Sequence, residues 1–226
     1  MRVLAVIPAF NEEACIKATV QGLAATCPGV DYLVVNDGSS DSTERILEEG
    51  GIAHVCLPVN TGLASAFRTG MKYAQRNGYD AVVQFDADGQ HLPEYIGPMA
   101  DAIASKGADI VIASRVLAGG GPTGMRSVGS RIIAALIRLT TGLRLTDPTS
   151  GMRMYDRAMI ELFASRFDLT PEPDDVALLA RCGARVVEVP ARMQERQGGT
   201  SYLNIWSSAR YMGRMIVSIA LFQWFR

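Results

Sequence analysis

The runs Val3-Leu-Ala-Val-Ile-Pro8, Tyr32-Leu-Val-Val-Asn36 and Ala81-Val-Val-Gln-Phe-Asp86 decide the fold of this 226-residue chain. Each run is short, mostly apolar and rich in β-branched residues, which is typical of strands buried on both faces of a parallel sheet. Helical patterns separate the runs, so that strand and helix alternate along the chain. The sequence therefore predicts an α/β protein with a doubly wound, mostly parallel sheet.

The second half of the chain begins with a Gly-rich loop at residues 119–124, followed by a predicted helix at Val128–Thr141. A closing helix is predicted at Leu203–Phe225, and its apolar run is too short to span a bilayer. Arginines alternate there with aromatic residues, which is typical of a helix that lies on a membrane, although a core-packing or oligomer contact is the alternative. We expect one domain at residues 1–202 and an amphipathic appendage at residues 203–226.

Polar loops follow the three predicted strands, at residues Pro8–Glu13, Asn36–Thr43 and Asp86–His91. Ligands of parallel α/β sheets bind beyond the carboxyl ends of the strands, so these loops form the expected site. The first loop contains neither G-x-G-x-x-G nor G-x-x-x-x-G-K-[ST], which disfavours an ordinary dinucleotide site and excludes a P-loop NTPase. Phosphate groups must therefore be held in another way.

Asp86 and Asp88 supply such a way, because two carboxylates at a strand end can reach one divalent ion. Carboxylate oxygens suit Mg²⁺ or Mn²⁺, which keep open positions for substrate phosphates. Gln90 adds a carbonyl oxygen two residues further on. The alternative is that this D-x-D stretch only caps and turns the loop.

Charge is unevenly distributed along a chain whose formal net charge is only −1. Residues 1–109 carry 7 Lys or Arg and 14 Asp or Glu, whereas residues 110–144 carry five Arg and no acid. The overall balance argues against nucleic acid as a partner, but the acid-free segment predicts local binding of an anion. Four cysteines without paired spacing, and an N-terminus without signal-peptide features, favour the cytoplasm.

Taken together, the motifs resemble family 2 glycosyltransferases with the GT-A fold, in both order and spacing. The motifs are Pro8-Ala-Phe-Asn-Glu-Glu13, Val34-Val-Asn-Asp-Gly-Ser-Ser-Asp-Ser-Thr43, Asn60-Thr-Gly62 and Asp86-Ala-Asp-Gly-Gln90. A second set is similar to the polyprenyl-phosphate branch of that family, which includes dolichyl-phosphate mannosyltransferase. It consists of Ser114-Arg115, Gly119-Gly120, Arg126, Ser130, Thr149-Ser-Gly151 and Arg196-Gln-Gly-Gly-Thr-Ser201.

The resemblance implies a role for each matching residue. The donor nucleotide would be bound by Pro8, Phe10, Glu12, Asp37 and Asp86. The metal, Mg²⁺ or Mn²⁺, would be bound by Asp86, Asp88 and Gln90. The phosphate of the acceptor would be held by Arg115, Arg126, Ser130 and Arg196. Arginine suits that last task because its planar fork matches phosphate oxygens.

The expected reaction is inverting transfer of a sugar from a UDP- or GDP-sugar donor to a polyprenyl phosphate. A phosphate monoester is already an anionic nucleophile, so positioning by arginine can replace a general base. The residues expected to act in catalysis are Asp88, Arg126 and Asp147. The protein is expected on the cytoplasmic face of a membrane as a peripheral protein, and a homo-oligomer remains open.

Three other functions remain open from the sequence. In the first, the acceptor is a soluble or glycan hydroxyl and needs a carboxylate base, which Asp147, Glu172 or Asp174 would provide. In the second, the chain binds nucleotide-sugars without turnover. In the third, the D-x-D pair belongs to a phosphatase, but the pair follows a later strand instead of the first one, which disfavours this function.

Overall fold

The computed structural model describes residues 1–194 and 205–221, with the side chains of 205–209 and 211 left out. The strands are β1 (Val3–Ala9), β2 (Asp31–Asn36), β3 (His54–Cys56), β4 (Ala81–Gln84), β5 (Ile110–Ser114), β6 (Arg153–Asp156) and β7 (Val186–Pro190). The helices are α1 (Ile16–Thr26), α2 (Thr43–Glu49), α3 (Leu63–Arg76), α4 (Ile96–Lys106), α5 (Gly124–Thr141), α6 (Arg157–Ser165), α7 (Pro173–Arg181) and α8 (Ile205–Ala220).

The seven strands form one sheet in the order β3-β2-β1-β4-β6-β5-β7. All neighbouring pairs are parallel except those of β6, which runs antiparallel to both β4 and β5. The predicted doubly wound, mostly parallel α/β sheet is therefore confirmed. The pairing of β1 with β2 and β4 aligns Ala9 with Asn36 and Val6 with Gln84, so the loops after these three strands leave the same edge.

Side chains that alternate along β1 enter two separate cores, one on each face of the sheet. Leu4 and Val6 pack under helices α3, α5, α6, α7 and α8, whereas Val3, Ala5 and Ile7 pack under α1, α2 and α4. This period of two is the geometry of a strand, and apolar residues at every position are what burial on both faces requires. The sheet is therefore covered by helices on both sides.

Helix α3 lies unusually close to β1, and Gly70 makes the approach possible. An ideal Cβ built on Gly70 would lie 2.3 Å from Cγ1 of Val6 and 2.5 Å from Cγ2, well inside van der Waals contact. The helix carries Phe67 and Met71, both fully buried, into the same core. This contact holds the middle of α3 against β1, and the first turn of the helix borders the candidate site described below.

Helix α8 packs against the body of the protein with one face. Met215 and Ile219 are completely buried in the same core as Ile133 and Ile137 of α5. No helix in the described ranges combines the length and hydropathy that crossing a bilayer requires. The division expected at residues 202 and 203 lies outside the described residues and stays a prediction.

We expect Gly70→Ala to lower the free energy of unfolding by about 1–2 kcal/mol, because overpacking against Val6 outweighs the gain in helix propensity. Gly22→Ala in α1 is the matched control, since nothing lies within 4 Å of its ideal Cβ. It should raise the free energy of unfolding by about 0.5–1 kcal/mol. Urea denaturation of the two variants measures both, and stabilisation by Gly70→Ala would contradict the close approach of α3.

Candidate active site at the carboxyl ends of the strands

A cavity of about 360 Å³ opens where the loops after β1, β2 and β4 meet the start of α3. Six of the residues predicted from sequence for donor and metal binding lie on its wall: Pro8, Phe10, Glu12, Asp37, Asp86 and Asp88. The remaining lining residues are Ala9, Asn60, Gly62, Leu63, Ala66 and Ala87. The structure thus brings together residues from four separate sequence motifs.

The loops after β1 and β2 are locked to each other by hydrogen bonds. The Ser40 amide donates to Oδ1 of Asn11 at 2.8 Å, and the Ser42 amide donates to Oε2 of Glu13 at 2.9 Å. Asn11 adopts a positive φ of 57°, a conformation that Asn tolerates better than most residues. Partial burial raises the pKa of Asp41, but hydrogen bonds from Thr43 and the Glu13 amide outweigh it and hold the pKa below its ordinary value.

Asp37 is buried and organises the turn at residues 60–62. Its Oδ1 accepts hydrogen bonds from the amide and the hydroxyl of Thr61, both at 2.8 Å, and its Oδ2 accepts from the Gly62 amide at 2.7 Å. Gly62 has a φ of 87°, which favours glycine at this position. Asp37 therefore shapes the cavity wall as well as lining it.

Asp86 and Asp88 lie on the same cavity wall but in different surroundings. Asp88 is buried, and its Oδ1 accepts from the Gln90 amide at 3.0 Å. The side chain of Asp86 is 35% exposed and receives a hydrogen bond from Nε2 of Gln84 at 3.3 Å. The two carboxylates therefore face the cavity from a rigid loop.

His91 contacts both the backbone and the carboxylate of Asp86. Its Nδ1 accepts a hydrogen bond from the Asp86 amide at 2.9 Å, so a neutral ring carries its proton on Nε2. That Nε2 lies 3.5 Å from Oδ2 of Asp86. The ring is buried edge-on against Phe85, with 5.6 Å between the centroids. Sequence reasoning gave His91 no role, although it closes the same D-x-D loop.

Acidic side chains dominate the cavity wall. Four carboxylates line it: Glu12, Asp37, Asp86 and Asp88. Within the part of the chain that the structure describes, no Lys or Arg lines it. A diphosphate entering such a wall would be repelled unless a cation came with it. No group of three or more His, Cys, Asp or Glu converges on one point among residues 1–194 and 205–221. Two carboxylates that leave positions open for phosphate oxygens are a donor set that fits Mg²⁺ or Mn²⁺.

Gln90 faces a second cavity, beside the first. This cavity of about 530 Å³ is lined by Gln90 together with Arg115, the Gly119–Gly121 loop, Arg192, Met193 and others. The carbonyl of Gln90 accepts from the Gln194 amide at 3.0 Å. Gln90 therefore lies between the carboxylate wall and the arginine-bearing segment.

Arg115 and Asp147 form a two-point ion pair. Nε and Nη2 of Arg115 donate to the two carboxylate oxygens of Asp147 at 2.7 and 2.8 Å, and the Arg115 amide adds a third bond at 3.1 Å. Asp147 is completely buried, whereas the Arg115 side chain is 25% exposed. In this arrangement Asp147 orients Arg115 and has no carboxylate oxygen open to solvent.

Glu188 on β7 holds the loop that carries Asp147. Its carboxylate accepts from the amides of Thr146 and Asp147, both at 2.8 Å, and from the Thr146 hydroxyl at 2.9 Å. Sequence reasoning missed Glu188, because nothing in a strand pattern shows which loop lies beside a strand 41 residues away. The orientation of Arg115 therefore depends on two carboxylates: Asp147, which binds it, and Glu188, which holds the loop that carries Asp147.

The turn at residues 149–151 connects the arginine segment to the carboxylate wall. The Thr149 hydroxyl donates to Oγ of Ser130 on α5 at 3.2 Å and accepts from Nη2 of Arg115 at 3.2 Å. Two residues later, an ideal Cβ on Gly151 would lie 3.0 Å from Oδ2 of Asp86. The predicted acceptor and metal residues are thus in contact through one short turn.

Of the two remaining predicted phosphate ligands, the structure describes only Arg126. Arg126 lies in the first turn of α5, on an exposed surface, while Ser130 of the same helix is buried. Arg196 lies outside the described residues, so its predicted contact with phosphate stays a prediction. The structure therefore places Arg115 and Ser130 together and Arg126 one helical turn away.

The other two base candidates lie at the start of α7. Asp174 is buried and accepts a hydrogen bond from the Ser218 hydroxyl of α8 at 2.5 Å. Glu172 occupies the N-cap position of the helix. Neither Asp174 nor Glu172 lines either of the two cavities described above. The third base candidate, Asp147, already accepts hydrogen bonds from Arg115 on both carboxylate oxygens.

We expect Arg115→Met to lower the free energy of unfolding by about 3 kcal/mol, because it leaves Asp147 buried without its cation. The double variant Arg115→Met/Asp147→Asn should be more stable than Arg115→Met alone, since the buried charge is then removed. Arg45→Met, which breaks an exposed i,i+4 pair with Glu49, should change the free energy by under about 1 kcal/mol. Additive losses in the double variant, measured by urea denaturation, would contradict the ion pair.

Over most of its length the chain is similar to members of one known protein family. The model of glycosyl transferase family 2 matches residues 4–163. An undecaprenyl-phosphate mannosyltransferase of Micrococcus luteus is 33% identical, over 97% of this chain and 93% of its own length. A polyprenol monophosphomannose synthase of Mycolicibacterium smegmatis is 34% identical, over 90% of this chain and 81% of its own length.

Solved structures show the same fold. Glucosyl-3-phosphoglycerate synthase from Mycobacterium tuberculosis, crystallised with Mg²⁺ and uridine diphosphate, superposes with a TM-score of 0.72 at 20% identity. The superposition covers 98% of this chain and 79% of the synthase. The fold is therefore the GT-A fold, and the chain is a glycosyltransferase that belongs to glycosyl transferase family 2, among its polyprenyl-phosphate sugar transferases.

Proposed function

We propose that this protein transfers a sugar from a nucleoside-diphosphate donor, UDP- or GDP-linked, to a polyprenyl phosphate, with inversion at the anomeric carbon. The observation that carries the proposal is the turn at residues 149–151. Through Thr149 it contacts Arg115 and Ser130, and through Gly151 it abuts Asp86. A phosphate-binding group and a carboxylate wall are thereby held side by side, as transfer between two phosphorylated substrates requires.

The donor half of the site is the 360 Å³ cavity. Pro8, Phe10 and Leu63 supply apolar surface for a nucleoside, and the Asp37-bound turn at residues 60–62 lines the same cavity. Because β1 and β2 are locked together at their loops, this surface is formed before the donor binds. Such preorganisation lowers the entropy cost of positioning the sugar.

The carboxylates of Asp86 and Asp88, with Gln90 beside them, would hold the divalent cation that the acidic wall requires. When bound, Mg²⁺ or Mn²⁺ neutralises charge on the departing nucleoside diphosphate. His91 and Gln84 fix the Asp86 carboxylate through contacts on both of its oxygens. The mycobacterial synthase with Mg²⁺ and uridine diphosphate supports this assignment.

The acceptor half contains Arg115, oriented by Asp147, together with Ser130 and Thr149. Asp147 accepts from Nε and Nη2 of Arg115, and we assign the third guanidinium nitrogen, Nη1, to a phosphate oxygen. Arg126 and Arg196 would add further positive charge around the same phosphate. Because that phosphate is already an anion, the residues need only position it, and a proton acceptor is not required. Asp147 then acts as a positioning residue and not as a general base.

The proposed acceptor also implies a location. A polyprenyl phosphate resides in a membrane, so the protein must reach that surface to meet it. The curated relatives from Micrococcus luteus and Mycolicibacterium smegmatis, named for undecaprenyl phosphate and polyprenol substrates, support this acceptor class. We therefore propose peripheral association with the cytoplasmic face of the membrane.

The direct test is transfer of label from radiolabelled UDP- and GDP-sugars to polyprenyl phosphate in the presence of Mn²⁺. We expect label in the lipid phase, and Asp88→Asn should reduce its rate by about 100-fold or more, because charge stabilisation at the leaving group is lost. Asp80→Asn is the control, since Asp80 pairs with Arg157 and lines no described cavity. It should leave the rate unchanged.

Two results would overturn the proposal. Label transferred to a soluble glycan hydroxyl but not to the lipid would favour the alternative acceptor. Full activity in Asp88→Asn would show that the carboxylate pair does not act on the leaving group.

A further inference from the structure

An apolar stripe runs along the outer face of helix α5. Met125, Val128, Ile132 and Leu139 follow one another at helical spacing, with exposed Ala135 between the last two. Met125 and Leu139 are 82% and 81% exposed. Such spacing places all of these side chains on one side of a helix. The stripe is therefore a continuous surface about four turns long.

Exposed apolar side chains are concentrated at this place. Of the 13 large apolar residues that the described part of the chain leaves exposed, six lie between residues 116 and 139. Two of these, Val116 and Leu117, belong to the loop that leads to the Gly-rich segment. Single exposed apolar residues need no explanation, but a contiguous patch marks a surface that binds something.

Packing on the opposite face fixes which side of α5 points outward. Ser130, Ile133 and Ile137 are buried, and an ideal Cβ on Gly129 would lie 2.9 Å from the sulfur of Met212 on α8. The helix cannot rotate to hide its stripe without breaking these contacts. The apolar face is therefore a fixed feature of the fold.

Charge beside the stripe identifies its partner. Arg131 and Arg138 of α5 are exposed at the edge of the stripe, and residues 110–144 contain no acid. A second copy packed stripe to stripe would bring these arginines towards one another with no carboxylate in the segment to pair with them. An anionic bilayer offers both an apolar layer for the stripe and negative headgroups for the arginines.

The helix that carries the stripe also forms one wall of a cavity that reaches the acceptor half of the site. A cavity of about 400 Å³ between the Gly-rich loop and α5 is lined by the buried Ser130 and by the exposed Val116 and Arg131. A lipid phosphate entering from a bilayer at the stripe would pass along this cavity towards Ser130. A lipid-linked phosphate as the acceptor is therefore consistent with an apolar, arginine-flanked surface on α5.

We propose that the outer face of α5 docks the protein on an anionic lipid bilayer, an inference that rests on the proposed lipid acceptor for its orientation. The stripe enters the apolar layer, and the arginines contact the headgroups. This assigns docking to α5, and the docking predicted for the closing helix stays a prediction. The buried face of α8 supports α5 from the protein side, through Met212, Met215 and Ile219.

The test is co-sedimentation of the full chain with phosphatidylglycerol-containing and with pure phosphatidylcholine vesicles. We expect binding to the anionic vesicles that weakens with salt. Met125→Gln/Leu139→Gln should weaken it by at least about tenfold, since two large apolar side chains no longer enter the bilayer. Glutamine keeps the helix propensity of these positions. Phe167→Gln, at an equally exposed apolar residue away from α5, should bind as the parent does.

Each outcome has a definite meaning. Equal binding by the double variant and the parent would overturn the docking surface, as would absence of vesicle binding together with a dimer that the double variant dissociates in analytical ultracentrifugation. Transfer to a short, water-soluble prenyl phosphate is measured alongside and should be equal in both proteins. If the parent fails in that reaction while the vesicle results hold, the proposed function is wrong and the docking surface stands.

Discussion

The pairing of β1 between β2 and β4 is the constraint on which the site depends. Because all three strands are parallel and their ends are in register, three loops leave the same edge and meet over one cavity. The close contact of Gly70 with Val6 brings the start of α3 to the same edge. Four carboxylates thereby share one wall, which is why we propose that a cation accompanies the diphosphate of the donor.

The acceptor half depends on a different kind of interaction, a series of polar contacts around the buried Asp147. Glu188 holds the Thr146–Asp147 segment, Asp147 orients Arg115, and Thr149 connects Arg115 to Ser130. A buried carboxylate whose two oxygens both accept hydrogen bonds holds its partners in place. The two halves meet at Gly151, where the absence of a side chain lets the turn approach Asp86. The proposed donor and acceptor positions are therefore connected by one continuous set of contacts.

The sequence predicted the sheet and the carboxylate wall well, because both follow from local patterns. Apolar runs show buried strands, and polar loops after parallel strands must meet at one edge. The roles of Glu188 and Asp147 could not be read in the same way, since each depends on a partner more than 30 residues distant. Asp147 was expected to act in catalysis, with a base role as one option, yet it pairs with Arg115. Likewise, the amphipathic pattern of α5 did not show by itself which of its faces packs on the protein, and the burial of Ile133 and Ile137 decides this.

Calorimetric titration of UDP and GDP into the protein, with Mn²⁺ and then with EDTA, tests the central claim most directly. The acidic wall can receive a diphosphate only with a cation, so one nucleotide should bind with Mn²⁺ and binding should be lost, or weakened by at least about tenfold, in EDTA. Equal affinity for the nucleotide with and without the metal would contradict the account.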